Sequence, residues 1–119
     1  MPLATLSPLL LRRVAYGALA LSLLAAAFVV AGPWWALAAG LVGPDLALLA
    51  GAAGGLSPGQ IHPRGVAVYN AVHRFWIPAV LLVLGGPWTA LGLAWSAHVA
   101  VDRAVGYGLR DARGFRRGA

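Results

Sequence analysis

The sequence predicts an all-α fold, a polytopic membrane four-helix bundle with both termini cytoplasmic, from three observations. The first is composition: of 119 residues, 61% are hydrophobic and 10% are charged, whereas a soluble domain carries about 25% charged residues to keep its surface solvated. The second is spacing, since no charged residue occurs from Val14 to Pro44 or from Phe75 to Val101. The third is punctuation. Gly32-Pro33 and Gly85-Gly86-Pro87 interrupt those two runs, and a crossing needs about 20 residues, so each run holds parts of two crossings.

Four helices follow, at about residues 14–31, 34–54, 64–84 and 88–109, with an Arg-rich cytoplasmic tail over 110–119. The first follows Arg12-Arg13, and its alanines at 25–27 also resemble a signal-peptide cleavage region. Retention is favoured, because Pro33-Trp34-Trp35 reads as an interfacial turn and three further apolar spans follow. The second helix opens on that turn, and Pro44, just before Asp45, predicts a kink. The third begins near Arg64 and contains a second such proline, Pro78. The fourth opens on Gly86-Pro87-Trp88-Thr89-Ala90-Leu91, which echoes Gly32-Pro33-Trp34-Trp35-Ala36-Leu37. Proline suits a first helical turn and tryptophan the headgroup level, so common physics explains the echo without a duplication. Gly106-Tyr107-Gly108 ends or bends this helix.

Arginine placement sets the expected orientation. Seven of the nine, Arg12, Arg13, Arg64, Arg110, Arg113, Arg116 and Arg117, lie at the termini or in the central loop, and the other two loops carry no charge. The positive-inside rule places the termini and central loop in the cytoplasm, as expected of a multi-pass protein of the cell inner membrane. The expected partners are the lipid bilayer, with anionic headgroups at the tail, and a homo-oligomer is compatible. Nucleic acid is not an expected partner, because arginines at the ends of apolar helices are membrane anchors. Cysteine is absent, which excludes disulfides and thiolate metal sites.

The informative side chains are polar ones in apolar segments, where a charge costs at least about 2.5–3.5 kcal/mol and marks a functional candidate. These are Asp45 in the second helix, Tyr69, Asn70, His73 and Arg74 in the third, and His98, Asp102 and Arg103 in the fourth. Counting at about 1.5 Å per residue puts Asp45, His73 and His98 at one depth. His98 and Asp102 are i,i+4 and share a face, as do Tyr69 and His73. Imidazole nitrogens and carboxylate oxygens so arranged are ligands for zinc or a similar divalent metal. Asp45, His73, His98 and Asp102 are thus the expected metal set. Tyr69 and Asn70 are supporting or substrate-binding groups, and Arg74 and Arg103 are available for an anion such as phosphate. A metal-free cluster of two aspartates and two arginines remains an alternative. His62, in the loop between Pro58 and Pro63, is expected at the surface.

The segments Pro44-Asp45-Leu46, Tyr69-Asn70-Ala71-Val72-His73 and Ala97-His98-Val99-Ala100-Val101-Asp102-Arg103-Ala104-Val105-Gly106-Tyr107-Gly108-Leu109, with Gly114-Phe115, resemble the family known as domain of unknown function 4260. That resemblance implies a four-helix membrane protein and no established activity. A looser similarity, carried by Pro44-Asp45, His73-Arg74 and His98 with Asp102, is to membrane-bound metal-dependent hydrolase-like proteins. The chain lacks that group's second acidic residue after Pro44-Asp45 and its Thr-His after His73-Arg74.

Three functions fit these features. The first is metal-dependent hydrolysis of a lipid-like or phosphorylated substrate. The second is a non-enzymatic assembly or accessory role with a structural polar cluster. The third is a dimeric proton- or ion-coupled carrier.

Overall fold

A computed structural model describes residues 7–30 and 32–117. The described residues are all-α, with four helices: the first Pro8–Val30, the second Trp34–Gly51, the third Pro63–Leu84 and the fourth Pro87–Val105. The first three are long and apolar enough to cross a membrane. Their outward faces carry residues such as Leu21, Val29, Leu49 and Val83, each at least 72% exposed, as expected of surface meant for an apolar medium.

The fourth helix is the centre of the structure, packed against the first, second and third. It buries a run of small residues, including Ala90, Gly92, Ala94, Ala97 and Ala100. Small side chains let helix backbones approach closely where lipid offers no hydrophobic drive to associate. Gly40 shows how close: a β-carbon there would lie 2.5 Å from that of Ala94 and 2.8 Å from the Leu91 carbonyl oxygen. Gly17 faces Ala104 and Gly32 faces Ala90, so the first helix runs antiparallel to the fourth. Trp35 and Trp88, from the two echoing turns, meet edge to face with centroids 6.1 Å apart.

Three boundaries differ from the sequence expectation. The first helix begins at Pro8, with Ser7 Oγ accepting the Leu10 N–H, so Arg12 and Arg13 lie within its early turns rather than ahead of it. The fourth ends at Val105 instead of near residue 109, because Gly106 turns left-handed (φ 90°) and the Tyr107 N–H reaches the Asp102 carbonyl. The second helix ends at Gly51, where Arg64 donates to the carbonyls of Ala50 and Ala52.

Both internal prolines change their helices. The second helix is α-helical over Trp34–Val42 and tightens to a 3-10 helix over Gly43–Gly51. The third comprises a short turn over Pro63–Gly65, an α-helix over Val66–Val72, a break, and a second α-helix over Trp76–Leu84. Pro78 cannot donate to the carbonyl four residues earlier and its ring crowds that group, which puts the break at residues 73–75.

The arginine tail is not a free extension. Leu109 and Arg117 pair through the backbone, as do Asp111 and Phe115, forming a small hairpin that folds back on the loop before the third helix. Gly114, at φ 97°, lies where any side chain would strike the Ile61 backbone, and its carbonyl accepts the Ile61 N–H.

Candidate metal centre

The break and the 3-10 segment have the same consequence: each leaves a backbone carbonyl without its helical partner. In a 3-10 pattern the N–H of residue 44 would bond the carbonyl of residue 41, but Pro44 has no N–H. The Leu41 carbonyl instead accepts from His98 Nδ1 at 2.7 Å. In the third helix the Tyr69 carbonyl keeps the His73 N–H at 3.1 Å and also accepts from His73 Nδ1 at 2.8 Å, while the carbonyls of residues 71–73 are the ones left over. Trp76 Nε1 donates to the Ala71 carbonyl, Trp95 Nε1 to that of Val72 and Arg103 Nη2 to that of His73. Side-chain donors therefore satisfy a broken helix end that apolar surroundings would penalise.

These bonds fix the chemistry of both imidazoles. A carbonyl can only accept, so each Nδ1 carries a proton, and in the neutral ring Nε2 is then a lone-pair donor. The two Nε2 atoms point into one space. His73 Nε2 lies 3.3 Å from Asp45 Oδ1 and 3.4 Å from Asp102 Oδ2, and His98 Nε2 lies 3.1 Å and 3.4 Å from the same oxygens. All four ligand atoms fall within 4.8 Å of one another. His73 is 2% exposed, and His98 Nε2 is buried with no aligned hydrogen-bond partner. Asp45 is half exposed and, with Asp102, lines clefts of about 210 and 320 Å³ on either side of the cluster.

The distances bear on what occupies the centre. An imidazolium–carboxylate hydrogen bond spans about 2.7–2.9 Å, shorter than any of the four. Atoms about 2.0–2.1 Å from a tetrahedral zinc ion lie about 3.3–3.4 Å apart, close to the four His–Asp separations, within a group that spans up to 4.8 Å. An ion of charge +2 with two carboxylates and two neutral imidazoles also balances to zero. The group could hold a metal ion, and the second contact that each imidazole makes is the kind that orients a metal-binding histidine.

The other sequence candidates have different positions. Tyr69 is buried and stacks on His73, with ring centroids 3.9 Å apart and planes at 14°, so it orients that ring. Asn70 is not free for a substrate: its Nδ2 donates to the Arg110 carbonyl at 3.0 Å and its Oδ1 accepts the Arg110 N–H at 2.7 Å. Arg74 is exposed, outside the cluster. Arg103 braces the His73 carbonyl, and the aspartates face the histidines rather than the arginines, so the alternative of Asp–Arg pairs is not what forms. His62 is half-buried, its Nδ1 accepting the Arg64 N–H.

Sequence reasoning missed Arg110. It is 8% exposed, donates from Nη1 to the carbonyls of Gly59 and Gly114, and lies 4.9 Å over the Tyr69 ring. A stack thus runs from Arg110 through Tyr69 to His73, and this arginine belongs to the interior rather than to a lipid surface. No local signal marked it among the tail arginines. The Leu41 carbonyl was also missed, although Pro44, three residues on, was a usable sign.

Fold and centre define an all-α protein with three potential membrane spans and a buried cluster of histidine and aspartate. The chain belongs to the family described as Domain of unknown function (DUF4260), whose model matches residues 9–118. No curated protein and no solved structure matches it.

Proposed function

We propose that this chain is an integral membrane protein of four crossings that binds one divalent metal ion, zinc or similar, through Asp45, His73, His98 and Asp102. One observation carries the reading: both Nδ1 protons are committed to backbone carbonyls, which in the neutral rings leaves two buried lone pairs facing two carboxylates. With the rings neutral and no metal ion among them, those four acceptors repel one another.

The fourth helix is the least apolar of the four, and its central position supports its being a crossing too. It buries its small and polar residues against other helices and exposes apolar ones such as Val101 and Val105. Arginine placement supports termini and central loop on the cytoplasmic side.

The finer reading is hydrolysis of a lipid-like or phosphorylated substrate from the inner leaflet. A divalent ion here would supply Lewis acidity and lower the pKa of a coordinated water towards neutrality. Half-exposed Asp45 and the clefts beside the two aspartates give water and substrate a route. The histidines, locked by Leu41, Tyr69 and the Tyr69 ring, hold the ligand geometry.

Metal analysis of protein purified without chelator tests the proposal, beside Asp45→Ala and His98→Ala. The expected result is equimolar metal in the parent and little in either variant. A metal-free parent overturns the proposal in favour of a structural ionic cluster, and full metal in both variants overturns this ligand set. Release of phosphate or of a lipid product, dependent on the added metal, tests the hydrolytic reading separately.

A further inference from the structure

A second polar feature lies apart from the cluster. A cavity of about 170 Å³ is lined by Arg12 and Arg13 of the first helix, Arg103 of the fourth, Arg117 of the hairpin, and Gly106 and Gly108 between them. Among the described residues, no aspartate lines it and Arg13 Nε is buried with no hydrogen-bond partner. Arg103, which also lines the cavity, gives the His73 carbonyl a bond from one Nη and lies 6.0 Å over the Phe75 ring.

Four arginines line one small space, Arg12 also lying 5.6 Å over the Tyr16 ring, and their like charges repel unless an anion lies among them. Guanidinium is planar and forked, and pairs bidentately with phosphate oxygens. The two glycines leave the room that side chains would otherwise fill. Only folding creates this arrangement, because residues 12–13, 103 and 117 meet through the packing of the first helix on the fourth and the return of the hairpin.

We infer that this cavity is a binding site for a phosphate-type anion, either an anionic phospholipid headgroup or a freely diffusing phosphate. It is distinct from the metal centre: its arginines are not ligands there, and Arg103 touches that centre through the His73 carbonyl. Arg113 and Arg116 lie outside it, beside Phe115 and Tyr107 respectively, and serve as charge-matched controls.

The test titrates detergent-solubilised protein with inorganic phosphate at constant ionic strength, and in a second arm with phosphatidylglycerol against phosphatidylcholine. Native mass spectrometry counts the bound lipid. The site predicts saturable equimolar binding that weakens about tenfold or more in the Arg13→Gln/Arg117→Gln double variant, the equivalent of one charge-assisted hydrogen bond. Binding in Arg113→Gln/Arg116→Gln and metal content in every variant should match the parent. Saturation in the phosphate arm identifies a soluble phosphate group, and saturation by phosphatidylglycerol alone identifies a headgroup. No saturable binding in either arm overturns the inference, as does equal affinity in parent and cavity variant. Should the double variant not fold, exposed Arg12→Gln carries the test: loss of affinity supports the site and unchanged affinity overturns it.

Discussion

The two ends of the fourth helix are held by different physics. At the Trp35–Trp88 end, Ala36, Ala90 and Leu91 form an apolar core, with Leu37, Leu81 and Trp95 packed around it, and Gly40 brings two backbones together. Backbone groups there are satisfied within continuous helices, so size alone decides the fit. At the other end the helices around it tighten or break, and carbonyls are satisfied by imidazole, indole and guanidinium groups. The first end tolerates no extra volume. The second depends on donors and acceptors being matched, and it is the end that carries the candidate chemistry.

That contrast can be broken at either end. The largest effect is expected from Pro44→Ala, which restores an N–H able to compete for the Leu41 carbonyl and so releases the His98 ring. Metal affinity should fall about 10–100-fold, the usual effect of losing a group that orients a ligand, as read by competition with a chromophoric chelator. Unchanged affinity would show that the proline does not set the ring.

Gly40→Ala probes the apolar end, where the added methyl meets both Ala94 and the fourth-helix backbone. Overpacking of this kind costs about 1–3 kcal/mol, so thermal unfolding in detergent should move down while metal stoichiometry stays as in the parent. Asn70→Ala removes both bonds to the Arg110 backbone at about 1–3 kcal/mol. Its expected signature is faster proteolysis within residues 106–117, with the helices still resistant.

The smallest effect concerns pH. Partial desolvation acts to raise the Asp111 carboxyl, but the backbone N–H groups of Phe115 and Arg113 and the Arg113 guanidinium outweigh it and hold the group below its usual value of 3.8. Because its folded pKa is depressed, its contribution to the hairpin is present above the unfolded value and is lost as pH falls through the folded one. Amide protection at Arg113 and Phe115, taken relative to the intrinsic exchange rate at each pH, should fall below about pH 4, and Asp111→Asn should remove that pH dependence.

Much of the architecture was legible in the sequence because the cost of placing polar groups in an apolar medium is severe and local. Charge-free runs divided by Gly-Pro turns marked four helices, and the few polar residues inside them named the four members of the cluster. Helix ends were less legible: Pro8 and Val105 became boundaries through Ser7 and the left-handed Gly106, and each shift was within two turns. The roles of Asn70, Arg74 and Arg110 were not legible at all. A side chain's availability depends on what packs beside it, and nothing local distinguishes an arginine buried under a hairpin from its exposed neighbours.

Composition, the spacing of charges and the two internal prolines by themselves determined an all-α chain and the identity of its interior polar residues, since these follow from local backbone chemistry and the cost of burial. Only tertiary structure decided which nitrogen of each histidine faces the carboxylates, that Asn70 and Arg110 lock the tail inward, and that four arginines distant in sequence share one cavity. Those outcomes depend on bringing together segments 28 to 105 residues apart, such as His73 beside Asp45 and Arg12 in one cavity lining with Arg117. Such neighbours meet only once the helices have packed.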